Sequence, residues 1–361
     1  MSQLLHGARV ALLYGPGNVN ADYANGLLRG IERGLMELGA SVATLNLSFF
    51  KGAIRGGDDA YPDDSPLVVG MSRFLEETWP GSRIDLCFGL FHDVYLRPRL
   101  REALRARCTR VVNYPLNLLD QPHRFEEALE FCDLTLVSEE EAFRGLATRF
   151  GQKVRYTPMA CDPYIFRPTG APRNPKLLFV GSLYADRQWF LDACARRIDV
   201  SAFGGGHDVP SVVRGIGREL IRHHKWTSLQ QAARMVYRAA ARDRRIVSDE
   251  EVVRLAADHG VSIGFSEVWQ ERTGQLLHKV RLREYESTMM GLCHLARRLP
   301  ELERGFVEGS EILLYDSPEQ ALQMLDGISG GRLDWRGIGA RARLRAERDH
   351  TWTRRLEAAL G

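Results

Sequence analysis

The sequence predicts an α/β protein built from two Rossmann-like halves that face each other across a cleft. Three observations carry this. Short apolar runs alternate with amphipathic stretches, the pattern of parallel strands covered by helices on both faces. The chain has 361 residues, more than one hydrophobic core usually supports. A proline-rich stretch, Asp162–Pro175, separates two such strand series.

The elements follow in order. Arg9–Tyr14 (RVALLY) is a short apolar run that reads as a buried strand, and Gly15-Pro16-Gly17 makes a tight turn after it. From Ala21 to Leu38 the spacing is helical, with Leu27, Leu28, Ile31, Leu35 and Leu38 on one face. Gly39 caps that helix and Ser41–Leu47 forms a second strand. Further strands are expected at Ile84–Phe88, Arg110–Asn113, Leu134–Val137 and Val154–Tyr156. After the linker come Lys176–Val180, Val200–Phe203 and Val261–Phe265, and later Ile312–Tyr315. Val261–Phe265 is followed by a polar loop, then by a basic segment leading into a helix that opens at Glu284–Glu286 and ends at Gly291. The domain division is 1–167, a linker at 168–175, a second domain at 176–348, and a C-terminal helix at 349–361 that packs back on the first domain.

Bulk composition narrows the function. Hydrophobic residues make up 44% and charged residues 26%, ordinary for a globular protein in water. A net charge of +3 is too mild to imply nucleic acid as a partner. No run reaches the roughly 18 apolar residues of a membrane span. The N-terminal stretch lacks a charged region followed by a long apolar one, so no signal peptide is expected. The six cysteines are scattered without a C-x-x-C pair, which argues against a zinc site or a disulfide framework and for a reducing cytoplasm.

The most telling stretch is 261–318. Lys279, Arg281 and Arg283 stand just before a helix N-terminus, where the dipole and unpaired N–H groups add to their charge and make a local site for phosphate. Glu286 in the first turn is placed to hold a hydroxyl-rich ligand beside that phosphate. The equally simple reading is that Arg281 and Arg283 pair with Glu284 and Glu286 on a solvated helix end. The same stretch resembles the C-terminal domain of CgeB-type (spore-maturation-like) glycosyltransferases of the GT-B superfamily. Arg281, Arg283, Tyr285, Glu286 and Gly291 match the first part of the family pattern. Pro300-Glu301-Leu302, Phe306, Gly309, Glu311-Ile312, Tyr315, Asp316, Pro318 and Glu319 match the rest. His350-Thr351-Trp352 with Arg354-Arg355 is similar to the family's closing segment, and Phe179–Leu183 with Arg187 to its second-domain opening.

The resemblance implies a GT-B arrangement of two Rossmann-like domains with an inter-domain cleft. It implies a glycosyltransferase that moves a sugar from a nucleotide-sugar donor to an acceptor hydroxyl without a metal, the donor being a co-substrate and no cofactor being needed. On this basis Gly181, Ser182, Arg187, Gly205, His278, Arg281, Arg283 and Glu286 are the donor-side candidates. Glu286 corresponds to the second carboxylate of an E-x7-E motif that contacts the ribose. The first falls at position 278, where this chain has His278. That departure leaves the stereochemical outcome open.

Other candidates rest on the residues themselves. Gly15, Gly17 and Asn18 follow the first strand, and glycines there permit close approach of a diphosphate or acceptor, or simply form a turn. Gly204–Asp208 follows Val200–Phe203 and is either a base-side loop or a plain connection. For a base toward an acceptor hydroxyl, the first domain offers His92, Asp93, Asp120 and His123 in loops after strands, where capping or surface roles compete. The segment 214–245 carries nine Lys/Arg against two acids. It is either a solvated helix face or a peripheral contact with an anionic membrane on the cytoplasmic side. The acceptor is an unknown glycan, lipid-linked or protein hydroxyl. Two other functions stay open: a non-catalytic nucleotide- or sugar-binding protein of the same fold, and a nucleotide-sugar epimerase.

Overall fold

The computed structural model describes residues 4–14, 26–47, 50, 60–182, 187–204 and 247–361. Gly15, Gly17, Asn18, Gly205 and the basic segment 214–245 lie outside the described residues, as does the predicted helical stretch before Gly26.

The first domain is built on a six-stranded parallel sheet. Its strands are β1 (Arg9–Tyr14), β2 (Ser41–Asn46), β3 (Ile84–Gly89), β4 (Cys108–Asn113), β5 (Leu134–Val137) and β6 (Val154–Tyr156). Side by side they run in the order β2-β1-β3-β4-β5-β6. The helices between them are α1 (Gly26–Glu37), α2 (Pro66–Glu77), α3 (Pro98–Arg107), α4 (Glu126–Phe131) and α5 (Glu140–Phe150). Val10 and Leu12 point to one face with α1, while Ala11 and Leu13 point to the other with α2 and α3. Burial on both faces is why this strand reads as a continuous apolar run.

The second domain repeats the plan with five parallel strands. They are β7 (Asn174–Val180), β8 (Val200–Phe203), β9 (His259–Ile263), β12 (Cys293–Arg297) and β13 (Leu313–Tyr315), in the order β13-β12-β9-β7-β8. The described helices are α6 (Arg187–Cys194), α7 (Asp249–Ala256), α8 (Leu282–Met289), α9 (Pro300–Gly305), α10 (Pro318–Ser329) and α11 (Trp335–Asp349). Gly291 follows α8 at φ 74°, a conformation glycine adopts without strain at a helix C-terminus.

Two departures from the sequence reading concern the stretch after β9. Residues expected to form a polar loop instead make an antiparallel hairpin, β10 (Glu267–Trp269) with β11 (Leu276–His278). Each strand is three residues long, too short to show alternation. The inward positions, Val268 and Leu277, pack on Leu119 and alongside Ala142 of the first domain, so their partner is a remote segment. The following helix starts at Leu282, earlier than expected, with Arg281 as its N-cap.

The last helix, α12 (Trp352–Leu360), leaves the second domain and packs on α1. Two glycines of α1 allow this. A Cβ at Gly30 would lie 2.3 Å from the Trp352 ring, and one at Gly34 3.0 Å from Leu356 and from the Thr353 backbone. The chain thus crosses between the domains twice, and the crossings touch where the Cys161 N–H donates to the His350 carbonyl at 3.0 Å.

Candidate functional site

Each sheet has one point where the chain reverses its direction of winding. In the first domain β1 pairs with β2 on one side and β3 on the other, and in the second β7 lies between β8 and β9. Loops leaving the C-terminal ends of strands diverge at such points and open a crevice. The second domain places Gly181-Ser182, Gly204 and Gly264–Ser266 there. Gly204 packs so closely on the Gly181 turn that a Cβ would fall 2.3 Å from the Gly181 carbonyl oxygen.

Two guanidinium groups meet at this crevice. Arg187, first residue of α6, donates from Nη1 to the Ser182 carbonyl at 3.1 Å and from Nη2 to the Glu267 carbonyl at 3.2 Å. Its guanidinium also lies 5.3 Å from the centre of the Phe265 ring. Arg281 donates from Nη2 to the same Glu267 carbonyl at 2.8 Å. The two guanidiniums thus each spend a donor on the same backbone oxygen, which brings them together at the strand ends.

Glu284 and Glu286 divide the work on α8. Glu284 turns back to accept from the Arg281 N–H at 2.9 Å, closing the helix start. Glu286 is paired with Arg283 at 2.6 Å. Burial pushes both carboxyls up to about 7, against the pull of nearby arginines, and Asp249 raises Glu286 further. Asp249 in turn accepts from the Gly26 N–H at 2.5 Å, the start of α1 in the first domain. His278, at the end of β11, bonds through Nδ1 to Ser266 Oγ at 3.0 Å, and burial lowers its pKa.

On the first-domain side the four base candidates occupy different settings. Both oxygens of Asp93 accept backbone N–H groups, from Glu127 at 3.0 Å and Ala128 at 2.8 Å, so this side chain caps α4. His92 packs against the Phe125 ring at 4.4 Å, and burial pushes it down to about 4, which keeps it neutral at pH 7. His123 is enclosed beside the hairpin, with Nε2 3.5 Å from Glu271. Asp120 reaches the second domain directly: its Oδ1 accepts from Lys279 Nζ at 2.5 Å. Its backbone carbonyl accepts from the Glu271 N–H at 2.9 Å.

Several participants escaped the sequence reading. Lys279 was visible only as one of three cations before a helix, and nothing local marked it as the one that turns inward. Glu139 sits in a run of three glutamates that reads as an exposed helix start, yet it is 3% exposed. The Glu267 carbonyl carries no side-chain signal at all.

Two facing doubly wound domains make a fold of the GT-B type. Residues 187–361 match the protein family described as Glycosyl transferase-like. No curated protein matches the chain in sequence. Solved structures of similar fold include a glycosyltransferase from Rickettsia africae, 12% identical over 98% of this chain and 97% of that one, with a TM-score of 0.59. Alr3699/HepE of Anabaena in complex with UDP and glucose is 12% identical over 98% and 99%, with a TM-score of 0.59. Sucrose-phosphate synthase from Thermosynechococcus elongatus is 14% identical over 98% of both chains, with a TM-score of 0.56. Among the described residues no helix is long and apolar enough to cross a membrane.

Proposed function

We propose that this protein is a glycosyltransferase that binds a nucleotide-sugar in the second domain and transfers the sugar to an acceptor hydroxyl presented by the first. The observation that carries the reading is the convergence of Arg187 and Arg281 on the Glu267 carbonyl at the winding reversal of the second sheet. There the two guanidiniums would bind the diphosphate and stabilise it as it departs, which is where negative charge develops. Gly181 and Ser182 allow its backbone approach, and Glu286 is the group for the ribose hydroxyls. A metal is not required on this scheme, because the arginines supply the charge. Asp120, on the facing loop, is the group assigned to receive the acceptor's proton. The UDP bound by the Anabaena protein makes UDP the first nucleotide to test.

The experiment is a thermal-shift panel with UDP, GDP, dTDP, CMP and ADP, followed by sugar transfer with measured nucleotide release. A ligand that binds only the folded state raises the melting temperature. A selective rise with one nucleotide, followed by its release in the presence of an acceptor, is the expected result. Nucleotide binding without turnover would favour the non-catalytic reading, which the presence of His278 in place of a motif carboxylate also supports. A donor whose sugar changes while staying nucleotide-linked would favour epimerisation.

A further inference from the structure

Lys279 belongs to the second domain but ends inside the first. Its side chain is 2% exposed. Nζ donates to Asp120 Oδ1 at 2.5 Å, Asn117 Oδ1 at 3.2 Å and the Leu116 carbonyl at 3.3 Å. On another side lies Glu139, its Oε1 3.5 Å from Nζ. The Glu139 oxygens are sealed from solvent, and among the described residues none makes a well-formed hydrogen bond to them. Burial raises this carboxyl, Lys279 opposes the rise, and Asp120 adds to it. The cluster therefore holds two carboxylates for one ammonium. The side-chain exposures differ: 2% for Lys279, 3% for Glu139, but 13% for Asp120, which is the group nearest the solvent edge.

One ammonium needs one counter-ion at all times, because an unpaired buried charge is costly. Asp120 can serve only while it is ionised. We propose that Lys279 and Glu139 are positioning residues for Asp120, with Lys279 aiming its carboxylate and Glu139 keeping the ammonium paired once Asp120 has taken a proton. The inference rests on the reading of Asp120 as the base. In the transfer step the acceptor oxygen forms a bond to the anomeric carbon. The bond from that carbon to the diphosphate oxygen breaks, and the diphosphate leaves with the electron pair. The hydroxyl proton passes to Asp120. With Glu139 ionised, the buried set goes from two anions and one cation to one of each, so the protonated state is internally neutral. Without Glu139 the same step would leave the Lys279 ammonium with only the neutral Asn117 and Leu116 oxygens and no counter-ion.

The test uses the full chain and three variants. Glu139→Gln keeps the shape and removes the charge. It is expected to lower kcat by about tenfold or more, part of what a positioned base contributes, with the KM for the nucleotide-sugar unchanged. Lys279→Arg is expected to retain transfer that Lys279→Met loses. Wild-type kcat in Glu139→Gln overturns the inference. Asp120→Asn is run alongside: wild-type turnover there removes the base reading itself, and with it the role assigned to Glu139. Should the wild type transfer no sugar at all, hydrogen exchange decides the positioning claim alone. Lys279→Met must then speed exchange across residues 114–124, and native exchange there overturns it. If Lys279→Met does not fold, Lys279→Arg and Glu139→Gln still give the answer.

Discussion

Arg187 and Arg281 donate to one and the same oxygen, the Glu267 carbonyl, at 3.2 and 2.8 Å. They come from different helix starts, and the carbonyl belongs to the first residue of the hairpin that docks on the other domain. The candidate anion site and the inter-domain contact therefore share one hairpin.

This sharing sets the first prediction. Arg281→Ala should weaken nucleotide diphosphate binding by about 10- to 100-fold, the equivalent of one charge-assisted hydrogen bond. The fold should persist, because among the described residues Arg281 makes no ion pair within 4 Å and its side chain bonds only a backbone carbonyl. Titration calorimetry with UDP and with the nucleoside measures it. Equal losses for both ligands would mean that the arginine does not read the phosphates.

Asp120→Asn tests the other side of the cleft. Removing a positioned base typically costs on the order of 100-fold or more in kcat. The donor KM should hold, since the donor groups lie on the second domain. Steady-state kinetics with varied donor and acceptor separates the two parameters.

Glu286 makes stability depend on pH in an unusual direction. Its carboxyl is raised from 4.5 to about 7 in the folded chain. The folded state thus binds the proton more tightly than the unfolded one. Its contribution is complete below about pH 4.5 and is lost as pH rises through 7. Glu286→Gln should therefore gain stability relative to wild type at pH 8 and gain little at pH 5. The difference should be roughly 3 kcal/mol at most, since each tenfold change in proton affinity is worth about 1.4 kcal/mol. Urea denaturation at the two pH values reads it, and an equal effect at both would contradict the raised carboxyl.

Gly30→Ala addresses the return of the C-terminal helix. The new Cβ would stand 2.3 Å from the Trp352 ring, so α1 and α12 must separate. Overpacking of this kind costs about 1–3 kcal/mol. The midpoint of denaturation should fall, and Trp352 should become more accessible to a fluorescence quencher.

The parts of the fold legible in the sequence share one property: their signal is local. RVALLY reads as a central strand because Val10 to Leu13 are all buried, on one face or the other. The α1 face was legible because Leu27, Leu28, Ile31 and Leu35 recur at helical spacing against one sheet. The hairpin at 267–278 was not, because Val268 and Leu277 are apolar for the sake of Leu119, a residue far away in the chain.

The same division holds for the site. Arg187, Arg281, Arg283 and Glu286 stand out by residue type and by their position before or within a helix, and a resemblance to a known pattern could mark them. Which partner each one takes was not written locally. Arg283 faces Glu286 three residues on, but Lys279 faces Asp120, 159 residues away. Asp93, an equally plausible acid in the sequence, spends both oxygens on the start of α4. By itself, then, the sequence determined two parallel-sheet domains and a cationic helix start, because hydrophobic period and helix-end chemistry act over a few residues. Only the tertiary structure decided which buried charges meet across the cleft, because a charge is held in the interior solely by a partner that folding brings to it.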